Sequence, residues 1–105
     1  MIDAPALRVI RAIDTEGSYT AAAASLGYTQ PAISQMVRRL EQRLGTALVE
    51  KRGRAVHLTE AGVILARHAA TVLGALDAAE EEVAAIAGLR SGRVGLMALP
   101  TQSAT

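Results

Sequence analysis

Glycine cuts this sequence into short apolar-periodic segments, and that punctuation commits most of it to a bundle of short helices. Residues 4–15 place Leu7, Ile10 and Ile13 on one helical face, with Arg8, Arg11 and Asp14 turned away, and Glu16-Gly17 follows at once. From about Tyr19 to Leu26 runs an alanine-rich segment that ends at Gly27. Ile33, Val37, Leu40 and Leu44 recur at helical spacing after Thr29-Gln30-Pro31 and stop at Gly45. A fourth segment runs from a Thr59 cap to about Ala87, before Gly88. Glycine just past the last periodic residue ends a helix because it enters the left-handed region without a β-carbon penalty. Ser18 is a fitting N-cap for the second segment, and Pro5 and Pro31 suit first turns, whose N–H groups lack intrahelical partners anyway.

The exception is residues 47–58. Leu48-Val49-Glu50-Lys51 and Ala55-Val56-His57-Leu58 are strand-like runs, and Arg52-Gly53-Arg54 between them reads as a turn. A two-stranded hairpin is marginal alone, so it must lean on the helices. The core has neither Phe nor Trp and only two Tyr to draw on. It must be built from Ala, Leu, Ile and Val, which suits closely packed helices. The expectation is a mainly α fold of three helices plus a two-stranded wing, followed by a long helix.

Three regions follow: 1–58 as the folded head, 59–88 as a linker helix, and 89–105 as a hinge and the start of something further. Leu89-Arg90-Ser91-Gly92 reads as the hinge, Arg93 to Leu99 as a buried strand with nothing here to pair with, and Pro100 to Thr105 as a loose tail.

Charge is distributed unevenly although the net charge is only +1. Arg38, Arg39, Arg43, Lys51, Arg52 and Arg54 crowd the middle against Glu41 and Glu50, whereas Asp77 and Glu80 to Glu82 dominate the fourth segment. Two surfaces with different partners are implied. With no Cys, disulfides and thiolate metal sites are excluded, which fits a reducing cytoplasm. Met1 to Pro5 lacks the basic and apolar run of a signal peptide. The most apolar stretch, Ala61 to Ala79, is rich in Ala and is interrupted by Arg67, His68 and Asp77, so a membrane is not expected as a partner.

Two short helices crossing through a tight turn need a small residue at the contact and a turn residue of unusual backbone angle. Ala23 and Gly27 supply these. Ile33, with Met36 or Val37, would form the inner face of the next helix, leaving Thr29, Gln30, Ser34, Gln35 and Arg38 outside. The plainer alternative is a helical hairpin whose polar residues only keep it soluble. Against it stand an outer face that is polar and then basic, the basic hairpin that follows, and a helix able to pair two copies.

Gly17-Ser18-Tyr19-Thr20-Ala21-Ala22-Ala23, Thr29-Gln30-Pro31-Ala32-Ile33-Ser34, Leu40-Glu41, Leu44-Gly45 and Leu58-Thr59-Glu60-Ala61-Gly62 together resemble the N-terminal domain of LysR-type transcriptional regulators, over roughly residues 5–98. Tyr19 stands where that family usually has Phe, and Leu48-Val49-Glu50-Lys51-Arg52 replaces its Leu-Phe-Glu-Arg run. The resemblance implies a winged helix-turn-helix that binds double-stranded DNA, a dimer through antiparallel linker helices, and a C-terminal effector domain. On that reading no cofactor belongs to this chain, a small-molecule inducer would bind the missing domain, and a higher oligomer stays open for a full-length protein.

On the residues themselves, Gln30 is the first candidate for a base contact, since Gln pairs bidentately with adenine. Ser34 and Gln35 lie one turn on, near neighbouring bases or phosphates. Pro31 has two readings, a contact with a thymine methyl or sugar and a helix starter. Ser18 and Thr20 open the second helix, where free N–H groups favour phosphate, though Ser18 is equally a plain cap. Arg38 is a phosphate anchor, with Arg39 and Arg43 less direct, and any of the three also reads as a solvated charge. Arg52 and Arg54 at the hairpin tip would lie over the minor groove or backbone, within a basic wing at 51–54.

Leu65, Ala69, Val72, Leu76, Ala79, Val83 and Ile86 repeat in steps of four and three, the spacing of a coiled-coil seam. Its first turns would also cover their own domain, yet nothing else in so short a chain covers the far end. Antiparallel pairing brings Glu80 to Glu82 within about a turn of the partner helix's basic Arg67 and His68 positions, where a parallel pair would stack the glutamates. A two-fold dimer would present two recognition helices, at about 30–44, to an inverted repeat.

Competing classes explain less. An enzyme would need a nucleophile or metal cluster, and His57 and His68 lie apart with no obvious acid partner. An interaction module that never touches DNA explains the seam but not the Gln30 face. A DNA-binding domain joined to another sensor, such as a molybdate-responsive regulator, keeps the same chemistry.

Overall fold

In a computed structural model that describes residues 2–90, every predicted helix stop but one falls where a glycine stands. α1 (Ala4–Glu16) starts at Asp3, whose Oδ1 accepts the Ala6 N–H at 3.1 Å, and stops at Gly17 in the left-handed region. α2 (Tyr19–Leu26) is capped by Ser18 Oγ, which accepts the Ala21 N–H at 3.0 Å, and ends at Gly27 with φ +75°. α3 (Gln30–Leu44) is capped by Thr29 Oγ1 on the Ala32 N–H and ends at Gly45.

α4 is the exception, for it runs Glu60–Arg90 straight through Gly88. Gly88 takes no left-handed angle, so it costs the helix about 1 kcal/mol of propensity without ending it. The linker helix therefore extends past its expected limit at 88, and Leu89 and Arg90 of the expected hinge are helical. Ser91, Gly92, the expected strand from Arg93 to Leu99 and the tail lie outside the described residues.

Two compact units divide the chain, Met1–Leu73 and Gly74–Thr105. The expected head of 1–58 is thus too short. The first part of α4 belongs to it because Ala66, Ala69 and Leu73 are buried with residues of α1: Ala66 beside Ile10, and Ala69 and Leu73 beside Leu7.

β1 (Val49–Arg52) and β2 (Ala55–Leu58) pair antiparallel, with Lys51 opposite Val56 and Arg52 opposite Ala55. The turn is therefore Gly53-Arg54, one residue shorter than expected, and Gly53 takes φ +62° to make it. Leu48, expected to begin the strand, precedes it and is buried at 1% exposure. The Val56 N–H donates to the Gly17 carbonyl at 3.0 Å, which ties the wing to the α1–α2 corner.

The helices meet through small and branched side chains. Ala22 and Ala23 of α2 are buried in one cluster with Val9, Ile13, Ile33 and Val37. Val37 rather than Met36 is the fully buried inner residue, since Met36 only packs against that cluster. Leu44, expected in the periodic core, is 41% exposed. The chain turns at Gly45 and supplies Leu48 to the layer beside Leu40 instead.

α4 starts through a tight joint. Thr59 Oγ1 donates to the Ala47 carbonyl at 2.7 Å and accepts the Gly62 N–H at 3.1 Å. Gly62 lies so close to the Leu48 carbonyl that a β-carbon there would collide with backbone. By length and mean hydropathy, 1.2 within Glu60–Leu89, α4 would reach across a bilayer. Arg67, Asp77 and Glu80 to Glu82 nevertheless stand in the same span, where charge at bilayer depth is costly.

Candidate nucleic-acid interface

The first two turns of α3 present a polar stripe to solvent. Thr29, Gln30, Pro31, Gln35 and Arg38 are exposed and Ser34 is half-buried, while Ile33 and Val37 on the opposite side are buried at 0% and 1%. Arg38 Nη1 donates to Ser34 Oγ at 3.5 Å, a long contact that inclines the guanidinium toward the N-terminal end of the stripe. Pro31 lies within the first turn of α3, so its role as a helix starter is met whatever else it touches.

The start of α2 lies nearby. Ser18 uses its oxygen as a cap, and Thr20 is exposed. Thr20, Gln30, Tyr19, Lys51, Gly53 and Arg54 line one open groove of about 250 Å³ between the helices and the wing. Arg54 from the wing and Gln30 from α3 thus share a surface. Arg39 and Arg43 are elsewhere, lining a smaller groove of about 130 Å³ with Asp3 and Ala6.

Arg52 stands apart from Arg54 on the wing. Alternation along β1 puts Val49 and Lys51 on the face toward the helices and Glu50 and Arg52 on the other. Arg52 pairs loosely with Glu50 on that outer face, Nη2 to Oε2 at 3.9 Å, and does not line the groove.

Two residues that sequence reasoning passed over hold the wing in place. Glu41 Oε2 accepts the N–H groups of Leu48 at 2.7 Å and Val49 at 3.3 Å, so a carboxylate on α3 grips the base of β1. Tyr19 is buried at 6% exposure, and the Lys51 ammonium lies over its ring at 5.1 Å. Burial pushes the Tyr19 phenol up from its ordinary value, Glu41 adds to the rise and Arg38 opposes it. Tyr19, Arg38, Glu41 and Lys51 are therefore within electrostatic reach, joining α2, α3 and the wing. A Leu-Glu pair seven residues before the wing was the available signal for Glu41, but nothing local revealed its backbone partners.

Along α4, Ala69 is a correction to the expected seam. Ala69 is fully buried against its own domain with Leu7 and Leu73, and Leu65 packs against the same clusters. Val72, Leu76, Val83 and Ile86 are 43%, 40%, 66% and 51% exposed, and Ala79 is exposed. Val63, Ile64 and Leu89 are exposed apolar residues of α4 outside the expected seam. Among the described residues no cluster of three His, Cys, Asp or Glu is placed to hold a metal, and His57 and His68 are each exposed.

A capped short helix, a second helix crossing it through Gly27, an outward polar stripe and a basic two-stranded wing define a winged helix-turn-helix domain. Residues 5–63 match the bacterial regulatory helix-turn-helix proteins of the lysR family. The chain belongs to that family.

It is 39% identical over 99 residues to a probable RuBisCO transcriptional regulator of Cyanophora paradoxa, covering 94% of this chain and 30% of the relative. It is 37% identical over 93 residues to the HTH-type transcriptional regulator CbbR of Rhodospirillum rubrum, covering 87% of this chain and 31% of that protein. The chain thus spans about a third of the length of these relatives. Among solved structures it is similar to the CbnR_DBD–DNA complex, with a TM-score of 0.74, 29% identity and coverage of 82% of this chain and 99% of that one. The BenM_DBD/catB site 1 DNA complex gives 0.77, 31% identity and coverage of 82% and 97%.

Proposed function

We propose that this chain is the DNA-binding part of a transcription regulator, reading inverted-repeat promoter sites as a homodimer. The observation that carries the reading is the placement of Gln30 and Arg54 on one groove, with the rest of the polar stripe of α3 open to solvent beside them. The fold's likeness to two protein chains crystallised with DNA supports it. α3 enters the major groove and the wing follows the adjacent backbone or minor groove.

In this division of labour Gln30 reads a base, Ser34 and Gln35 meet neighbouring bases or phosphates, and Thr29 caps the helix that carries them. Ser18, its oxygen engaged by the Ala21 N–H, still has its hydroxyl proton to donate to a phosphate beside Thr20. Arg38 and Arg54 neutralise backbone charge. Phosphate contacts position the domain and base contacts specify the site.

The dimer forms through Val72, Leu76, Ala79, Val83 and Ile86, the expected seam residues left exposed. Antiparallel pairing of α4 sets the acidic run at Glu80 to Glu82 toward Arg67 and His68 of the second copy. The protein acts in the cytoplasm and performs no catalysis. No cofactor is held by this chain.

Selected-sequence binding by this chain tests the reading, followed by two variants. Gln30→Ala is expected to relax preference at one base pair, worth about 1–3 kcal/mol of discrimination. Arg38→Ala is expected to weaken binding to all sequences and to lower the salt slope by about 0.9. Equal loss by both variants on selected and random DNA would overturn this assignment of roles.

A further inference from the structure

Lys51 is the chain's single lysine, set among ten arginines. Sequence reasoning assigned the wing's DNA contacts to Arg52 and Arg54 as the cations flanking Gly53. The register of the hairpin separates them differently. Lys51 stands opposite Val56, a buried residue, and so on the inner face of the wing. A lysine there cannot bury its charge, so its ammonium stays over the Tyr19 ring face, at 5.1 Å from the centroid, at the groove lined by Thr20, Gln30 and Arg54. Arg52 is on the outer face, with Glu50 3.9 Å away as its partner.

We infer that Lys51, not Arg52, is the wing's second DNA-contacting cation, and that the group it binds is a backbone phosphate seated in this groove. The groove has donors of the kind a phosphate takes, the Thr20 hydroxyl, the Lys51 ammonium and the Arg54 guanidinium, and no carboxylate among its lining residues. Gln30 lines the same groove, so a phosphate held there lies beside the residue that reads a base. The Tyr19 ring acts as a positioning residue. It holds the ammonium over the groove without competing for it as a carboxylate would, because a ring face offers no hydrogen-bond acceptor of comparable strength. The inference rests on the DNA-binding reading above.

The salt dependence of duplex binding separates the two. Wild-type protein that binds no duplex at low salt would sink the DNA-binding reading itself. If the wild type binds, Lys51→Met keeps the stem and removes one cation, and its slope of log K against log salt is expected to fall by about 0.9. Lys51→Arg is expected to retain the wild-type slope, and Arg52→Met to leave it unchanged. A slope lowered by Arg52→Met and untouched by Lys51→Met would overturn the inference. A second measurement needs no variant. Amine acylation of the wild type, mapped by peptide mass so that Lys51 is resolved from the N-terminal amine, is expected to be slowed at Lys51 by bound duplex. Equal acylation with and without duplex would also overturn it.

Discussion

The Glu41 carboxylate accepts the Leu48 N–H at 2.7 Å, and through that bond the recognition helix holds the segment leading into the wing. The same Oε2 atom takes the Val49 N–H at 3.3 Å. Glu41→Ala leaves a part-buried N–H without its acceptor, at a cost of about 1–3 kcal/mol. Thermal melting should drop by roughly 4–8 °C for each kcal/mol in a domain of this size. Glu41→Gln keeps one acceptor oxygen and should lose less. An unchanged melting temperature in Glu41→Ala would show that the bond does not hold the wing.

Two glycines of α4 should respond to alanine with opposite signs. At Gly62 the new β-carbon meets the Leu48 carbonyl, and overpacking of that kind costs about 1–3 kcal/mol. At Gly74 the β-carbon meets nothing within 4 Å, so helix propensity alone acts. Gly74→Ala should stabilise by about 0.5–1 kcal/mol. Denaturant midpoints of the two variants give the comparison.

A glutamate placed at Ala69 and one placed at Ile86 should fail in different ways. Ala69 is 0% exposed, so Ala69→Glu forces an unpaired charge into the domain's own core and should abolish folding. Ile86 is 51% exposed, so Ile86→Glu should leave amide-exchange protection of α1 to α3 intact while sedimentation reports a shift toward monomer. A dimer that survives Ile86→Glu combined with Val83→Glu would rule out this seam.

The raised pKa of Tyr19 predicts an alkaline limit on stability. The folded protein favours the neutral phenol more than the unfolded chain does, so it binds more protons between the ordinary value of 10.0 and the higher folded one. The stabilisation is fully present below pH 10.0 and is lost as pH rises through the folded pKa. Tyr19→Phe keeps the ring under Lys51 and removes this loss. Urea midpoints of the two proteins should differ little at neutral pH and diverge in favour of Phe above pH 10.0.

Much of the fold was legible along the chain. Asp3, Ser18, Thr29 and Thr59 cap helices through hydrogen bonds to residues three positions on, and Gly17, Gly27 and Gly45 stop them through left-handed backbone angles. These terms act within a few residues, so the sequence alone determined α1, α2 and α3 nearly to the residue. The buried faces through Ile10, Ile13, Ile33 and Val37 and the outward stripe at Gln30 followed from helical period.

Tertiary structure decided what period leaves degenerate. Ala69 and Val83 fit the same seam, yet only contact with Leu7 assigns Ala69 to its own domain. Arg52 and Lys51 are adjacent cations, and strand pairing with a two-residue turn set one inward and the other outward. Glu41 gained its role from backbone N–H groups that reach it only after Gly45 turns the chain. In each case the deciding partner is distant in sequence or depends on strand register, and a local pattern carries no term for it.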